Sequence, residues 1–133
     1  MSTILLPIDD DEQHAKDQIA TITGLPFETH ELTVTVLHVF TDNPNSASIT
    51  QLKSARLIEE ALQDEGIDVE LDERSNDPAD EILSYAEEHD VDAICLAGRK
   101  RSRTGKLLFG SVTQDVILNS NLPILVAGTD PVE

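Results

Sequence analysis

Five basic residues, Arg99, Lys100, Arg101, Arg103 and Lys106, fall within eight positions, bounded by Gly98 on one side and by Gly110-Ser111 on the other. The whole chain has nine Lys and Arg against 26 Asp and Glu. A glycine lets the backbone turn sharply and approach a ligand closely. Backbone N–H groups at the start of a following helix favour an anion, and a serine there can donate a hydroxyl hydrogen bond. Arginine suits bidentate contacts to phosphate oxygens. Two readings stand: a phosphate or nucleotide pocket, or a solvated loop with Ser111 as a helix N-cap. The concentration of base in a chain so poor in base favours the first.

Other chemistry is thinner. Thr104-Gly105-Lys106 tempts a P-loop reading, but Lys100 stands where the first glycine should be and Leu107 where a magnesium-holding hydroxyl should be. IDDDEQ, from Ile8 to Gln13, has no glycine, so a dinucleotide fingerprint fails after the first apolar run. Asp9 could accept hydrogen bonds from a ribose or base, or cap the first helix. Asp9-Asp10-Asp11 as a metal site is outweighed by solvated carboxylates in so acidic a chain. His38 reads as a core or supporting residue, and His14, His30 and His89 as surface residues. The single cysteine, Cys95 in AICLA, reads as a buried core thiol and excludes an internal disulfide. No nucleophile and base can be assembled from spacing, so the chain reads as a non-enzyme, slow ATP hydrolysis aside.

The elements that must position these residues alternate. Ile4-Leu5-Leu6-Pro7-Ile8 predicts a strand buried on both faces. Ala15, Ile19 and Ile22 repeat at helical spacing up to Gly24. Thr33 to Phe40 predicts a second strand. Ala55, Ile58 and Leu62 mark a helix that stops at Gly66. Ile67, Val69 and Leu71 alternate with acids, as in a half-exposed strand near a sheet edge. Asp77-Pro78 starts the third helix. Asp92 to Ala97 predicts a buried strand, Ser111 to Leu118 a helix, and Ile124 to Ala127 the last strand. This β-α alternation requires a mostly parallel, doubly wound sheet with helices on both faces, here a single domain over residues 1–133. Ligands of such sheets bind beyond the carboxyl ends of the strands where strand order reverses, which selects Asp9 and Gly98.

The charge of −17 on 133 residues argues against affinity for nucleic acid or an anionic membrane. It fits adaptation to high salt, where a Debye length of ~3 Å at molar concentration makes self-repulsion tolerable. MSTILLPID lacks a basic n-region and a long apolar run, and no segment approaches transmembrane length, so a cytoplasmic protein is expected.

ILLPID, VLHVF and FGSVTQDVILNSNLPILVAG together resemble the universal stress protein family over nearly the whole chain, and the acidity resembles that of members from halophilic archaea. The resemblance implies a Rossmann-like sheet of five parallel strands in the order 3-2-1-4-5. It implies a homodimer formed along the last strand, at Ile124, Leu125, Val126 and Ala127. It also implies an adenine nucleotide, ATP (with Mg²⁺) or AMP. Pro7, Ile8 and Asp9 would meet its adenosine end and Val39 would line the base pocket. Ala97, Gly98, Arg99, Arg101, Gly110, Ser111, Val112 and Thr113 would wrap ribose and phosphates. The family motif has Gly, two residues, Gly, nine residues, then Gly and Ser or Thr. Gly98 and Gly110-Ser111 match its ends, whereas Arg101 replaces the second glycine and the intervening loop is one residue shorter. The alternative that the resemblance carries is a dimer that binds no ATP and acts through protein partners.

Overall fold

The structure, a computed structural model, describes residues 2–26, 28–41, 48–101 and 107–128. β1 (Ser2–Ile8) leads into α1 (Glu12–Thr23), β2 (Leu32–Phe40), α2 (Lys53–Asp64) and β3 (Asp68–Ser75). α3 (Pro78–Glu88), β4 (Ala93–Arg101), β5 (Leu107–Leu108), α4 (Ser111–Asn119) and β6 (Ile124–Gly128) follow. The parallel strands lie in the order β3-β2-β1-β4-β6, which is the expected 3-2-1-4-5 order of five parallel strands. Among the described residues no helix is long and apolar enough to cross a membrane.

Strand alternation assigns each side chain to a face. Ile4, Leu6 and Ile8 of β1 pack with Ala15 and Ile22 of α1 and Ala55, Ile58 and Leu62 of α2. Leu5, one residue out of phase, packs on the opposite face with Ile82 and Ala86 of α3 and Val116 of α4. Strands covered on both faces read as continuous apolar runs, and β1 is buried from Ile4 to Ile8. β3 is the edge, and Asp68 and Glu70 are exposed on either side of half-buried Val69 as expected, whereas Asp72 is half-buried. The helix starts follow from local chemistry. Asp11 caps α1 by accepting from the amides of Gln13 and His14, and Asp77 caps α3 by accepting from Asp80 with Pro78 in the first turn.

Two departures from the sequence reading concern the basic tract. β4 does not end at Ala97 but continues through Arg101, where Lys100 and Arg101 pair antiparallel with Leu108 and Leu107. The cause lies at Gly98: its φ of +95° is open to glycine and accompanies a register shift between Leu96 and Arg99. The strand therefore bends into a short hairpin instead of dissolving into a loop. Arg103, Gly105 and Lys106 lie outside the described residues, as do the side chains of Arg99, Lys100 and Arg101.

Two buried groups tie stability to pH. Burial pushes the Cys95 thiol up from its ordinary 9.0 to about 12. Burial, followed by the 2.8 Å hydrogen bond that the Tyr85 hydroxyl donates to Asp72, raises that phenol well above its ordinary 10.0. Both groups stay neutral in the fold after the unfolded chain would have ionised, so their stabilisation is present below pH 9 and is lost as pH rises through the folded values. Urea midpoints should fall between pH 9 and 12, one group contributing at most about 1.4 kcal/mol per pH unit. Cys95→Ala should flatten the portion that begins near pH 9, whatever its effect on stability at pH 7.

Candidate functional site

At one end of the sheet β1 and β2 run out and β4 bends at Gly98, where the chain order reverses on either side of β1. There Pro7, Ile8, Asp9, Val39, Ala97, Val112 and Thr113 line one cleft, so seven of the residues selected from sequence meet in space. Leu37, His38, Pro78, Ile82 and Leu96 complete it. The cleft encloses about 180 Å³, below the roughly 300 Å³ where pockets for whole drug-sized ligands begin. It suits one end of a ligand, with the remainder on the open rim. Its walls are mainly aliphatic, with Asp9 as the charged group.

Side chains reach the backbone carbonyls that surround the cleft. Gln18 of α1 donates to Pro7 O at 2.8 Å and to Cys95 O at 3.2 Å. His38 of β2 donates from Nδ1 to Ile8 O at 2.9 Å. Ser54 of α2 donates to Asp9 O at 2.6 Å, and Thr113 of α4 to Ala97 O at 2.7 Å. Four elements thus brace the backbone of the cleft, as buried carbonyls require. His38, expected in a supporting role, has one, and its ring also meets Phe40 edge-on at 4.4 Å.

Asp9 is not the helix cap, which is Asp11. Its Oδ1 accepts from the Asp11 amide at 2.9 Å, and its Oδ2 accepts from His14 Nδ1 at 2.7 Å. The carboxylate is nevertheless half exposed. His14 is therefore no bland surface residue: it is half-buried and lines a second hollow with Gly98, Leu108, Phe109 and Gly110. The two hollows have no lining residue in common but are linked by the Asp9–His14 hydrogen bond and the Ala97–Gly98 peptide. Gly110, not Ser111, is the N-cap of α4, and no side chain caps that helix. Ser111 is the exposed first helical residue. The amides of the first turn are left for water or an anion.

A Cβ built on Gly98 would stand 3.6 Å from Thr113 Oγ1, at the mouth of the cleft, while one on Gly110 meets nothing within 4 Å. Gly98 therefore combines a left-handed backbone with a place in the lining of the second hollow. The predicted backbone positions Gly98, Gly110 and Ser111 border the second hollow or follow it directly in sequence. Arg99 and Arg101 lie on the β4 extension, described in backbone only. The predicted edge Ile124 to Ala127 forms β6, paired with β4 on one side; Ile124, Leu125 and Val126 are half-buried and Ala127 is buried.

Sequence reasoning missed His14, Leu37, Pro78, Ile82 and Leu96 as lining residues. Pro78 and Ile82 were read correctly as helix start and apolar stripe, but periodicity says which face is buried, not how far along the strand it sits. For His14 a signal existed: five residues after Asp9, it lies in the first turn of a helix that folds back over the strand end.

Residues 1–128 match the profile of the Universal stress protein family. The stress response protein NhaX of Bacillus subtilis is 32% identical over 65 residues, 49% of this chain and 39% of its own. The universal stress protein MJ0577 of Methanocaldococcus jannaschii is 41% identical over 49 residues, 37% of this chain and 30% of its own, so the matched segments span less than half of these relatives. The solved structure of MJ0577 overlays with a TM-score of 0.79 at 26% identity, covering 98% of both chains. A universal stress protein from Archaeoglobus fulgidus, solved in complex with dAMP, shares the fold at a TM-score of 0.63 and 22% identity over 96% of this chain and 98% of its own. Others of this fold were solved with cAMP and with AMP. With the profile covering nearly the whole sequence and the strand order in agreement, this chain belongs to the universal stress protein family.

Proposed function

We propose that this protein is a stress-response regulator that takes an adenine nucleotide at the carboxyl ends of β1, β2 and β4. The observation that carries the reading is the meeting of an aliphatic cleft ending on Asp9 with the uncapped start of α4 beside Gly98. The base enters between Val39, Ile82 and Val112, with Asp9 accepting from the ribose or base. The phosphates turn toward Gly98, Gly110 and Ser111, where amide dipoles oppose their charge and Arg99 and Arg101 supply the cations. AMP needs nothing more; ATP would bring Mg²⁺ as counter-charge. The reading includes a single domain, a homodimer along β6, a cytoplasmic site of action and no enzymatic turnover. β6 is an edge strand of half-buried aliphatic residues, a surface that an isolated protomer leaves open to pairing. The dAMP, cAMP and AMP complexes of proteins with this fold support the ligand class.

One observation favours the second reading, a dimer without nucleotide that acts through protein partners. Arg101 stands where the family motif has glycine, and its backbone is already engaged with Leu107. Calorimetry with AMP and with ATP-Mg in molar KCl decides between them. Saturable binding near one nucleotide per chain is expected, and at a hundred dissociation constants about 2.7 kcal/mol of added stability, read as a melting shift of several degrees. No heat and no shift at millimolar nucleotide would leave the second reading.

A further inference from the structure

β1 and β2 pair along their whole length, from Ser2↔Leu32 to Ile8↔His38. β1 and β4 pair only at Ile4↔Ala93 and Leu5↔Ile94 and then part. Pro7 accounts for the difference. Thr3 O accepts from the Asp92 amide at 2.8 Å, so the odd residues of β1 turn their backbone groups toward β4. At the register Leu5↔Ile94, Pro7 stands opposite Leu96, where a parallel ladder sends the N–H of residue 7 to the carbonyl of residue 95. Proline has no N–H to send, which is why it is rare inside a central strand.

The carbonyl so deprived, Cys95 O, is one of the two that the Gln18 carboxamide reaches, the other being Pro7 O itself. Both neighbours are acceptors, so the amide NH₂ must face them. Gln18 is 1% exposed, and its Oε1 has no hydrogen-bond partner among the described residues. For packing alone a leucine would serve better at this point of the apolar stripe of α1. We infer that Gln18 is a positioning residue: it replaces the ladder donor missing at Pro7 and so sets the gap between the ends of β1 and β4. Those ends carry Pro7, Ile8, Asp9, Leu96 and Ala97 into the cleft. Gln18 touches no ligand and acts from the far side of the sheet, through the two carbonyls.

A double-mutant cycle tests this on the full chain in molar KCl. Gln18→Met should lower the melting temperature by several degrees and speed amide exchange at Ile8 and Ala97 at least tenfold. Pro7→Ala restores the N–H, so Pro7→Ala/Gln18→Met should recover most of both losses. Should Gln18→Met fail to fold, a folded double variant is the same positive result. Additive losses, a double variant that also fails to fold, or unchanged exchange at Ile8 and Ala97 in Gln18→Met would overturn the inference. One arm rests on the nucleotide reading: AMP affinity should fall about tenfold in Gln18→Met. Absence of AMP binding by the wild type would defeat that reading alone, because melting and exchange still decide the role of Gln18.

Discussion

If the proposed nucleotide reading holds, Gly98→Val should abolish measurable AMP binding while leaving most of the protein folded. The φ of +95° at this position is one that a β-branched residue reaches only with strain, of order 1–3 kcal/mol. The strain has an easy release, because β4 can straighten and withdraw the hairpin that it forms with Leu107 and Leu108. Either outcome harms the site. If the bend is kept, the new side chain grows from a Cβ in van der Waals contact with Thr113 Oγ1 and takes space from the second hollow that Gly98 lines. If it is lost, the second hollow loses the face formed by Gly98 and Leu108. Calorimetry with AMP at concentrations that saturate the wild type reads the effect. A valine variant that binds within threefold of wild type would remove Gly98 from the site.

Leu5→Ala should be the most damaging simple truncation for stability, by about 2–5 kcal/mol, against a total of roughly 5–15 kcal/mol for a domain of this kind. Leu5 is fully buried in the central strand, and on its face of the sheet only the α3–α4 layer covers it. The void cannot be filled by collapse without moving Ile82, Ile94 or Val116, which are packed from three elements. The measurement belongs in molar KCl, where repulsion among the excess carboxylates is screened and the variant still folds. Leu118→Ala is the matched control: the same chemistry at 78% exposure should change the stability read from urea unfolding by less than about 0.5 kcal/mol. Equal losses at the two positions would mean that Leu118 is covered in solution.

Hydrophobic periodicity and turn chemistry made the alternation of elements legible, and alternation with right-handed crossovers leaves few topologies. The caps were readable where one residue could do one job, as at Asp77-Pro78. They were not where neighbours competed, as in Asp9-Asp10-Asp11, since the choice of Asp11 depends on where the strand lets go of the chain. The β4–β5 hairpin was illegible because Lys-Arg tracts carry no strand signature and the bend depends on a single glycine dihedral. The cleft was legible where its residues adjoin a strand end, and hidden where they come from α3. Gln18 lies three residues after Ala15 and four before Ile22, squarely on the buried stripe, and a polar residue there was the one sign that α1 supports more than a core.

The division of the interior by the sheet has a consequence for how the chain is made. Of the buried residues on the α1–α2 face, all but Cys95 come from the first 67 positions. On the other face only Leu5, Leu37 and Val39 do, and the rest span Ala79 to Val116. A chain emerging from the ribosome can therefore complete one layer while the other side of the same strands remains bare. Asp9 and Val39 are in place early, on an uncovered sheet, and the cleft closes only when α4 docks. A ligand that bridges β1 and the start of α4 would bind only once α4 has docked, and would hold together two parts that are synthesised far apart in time.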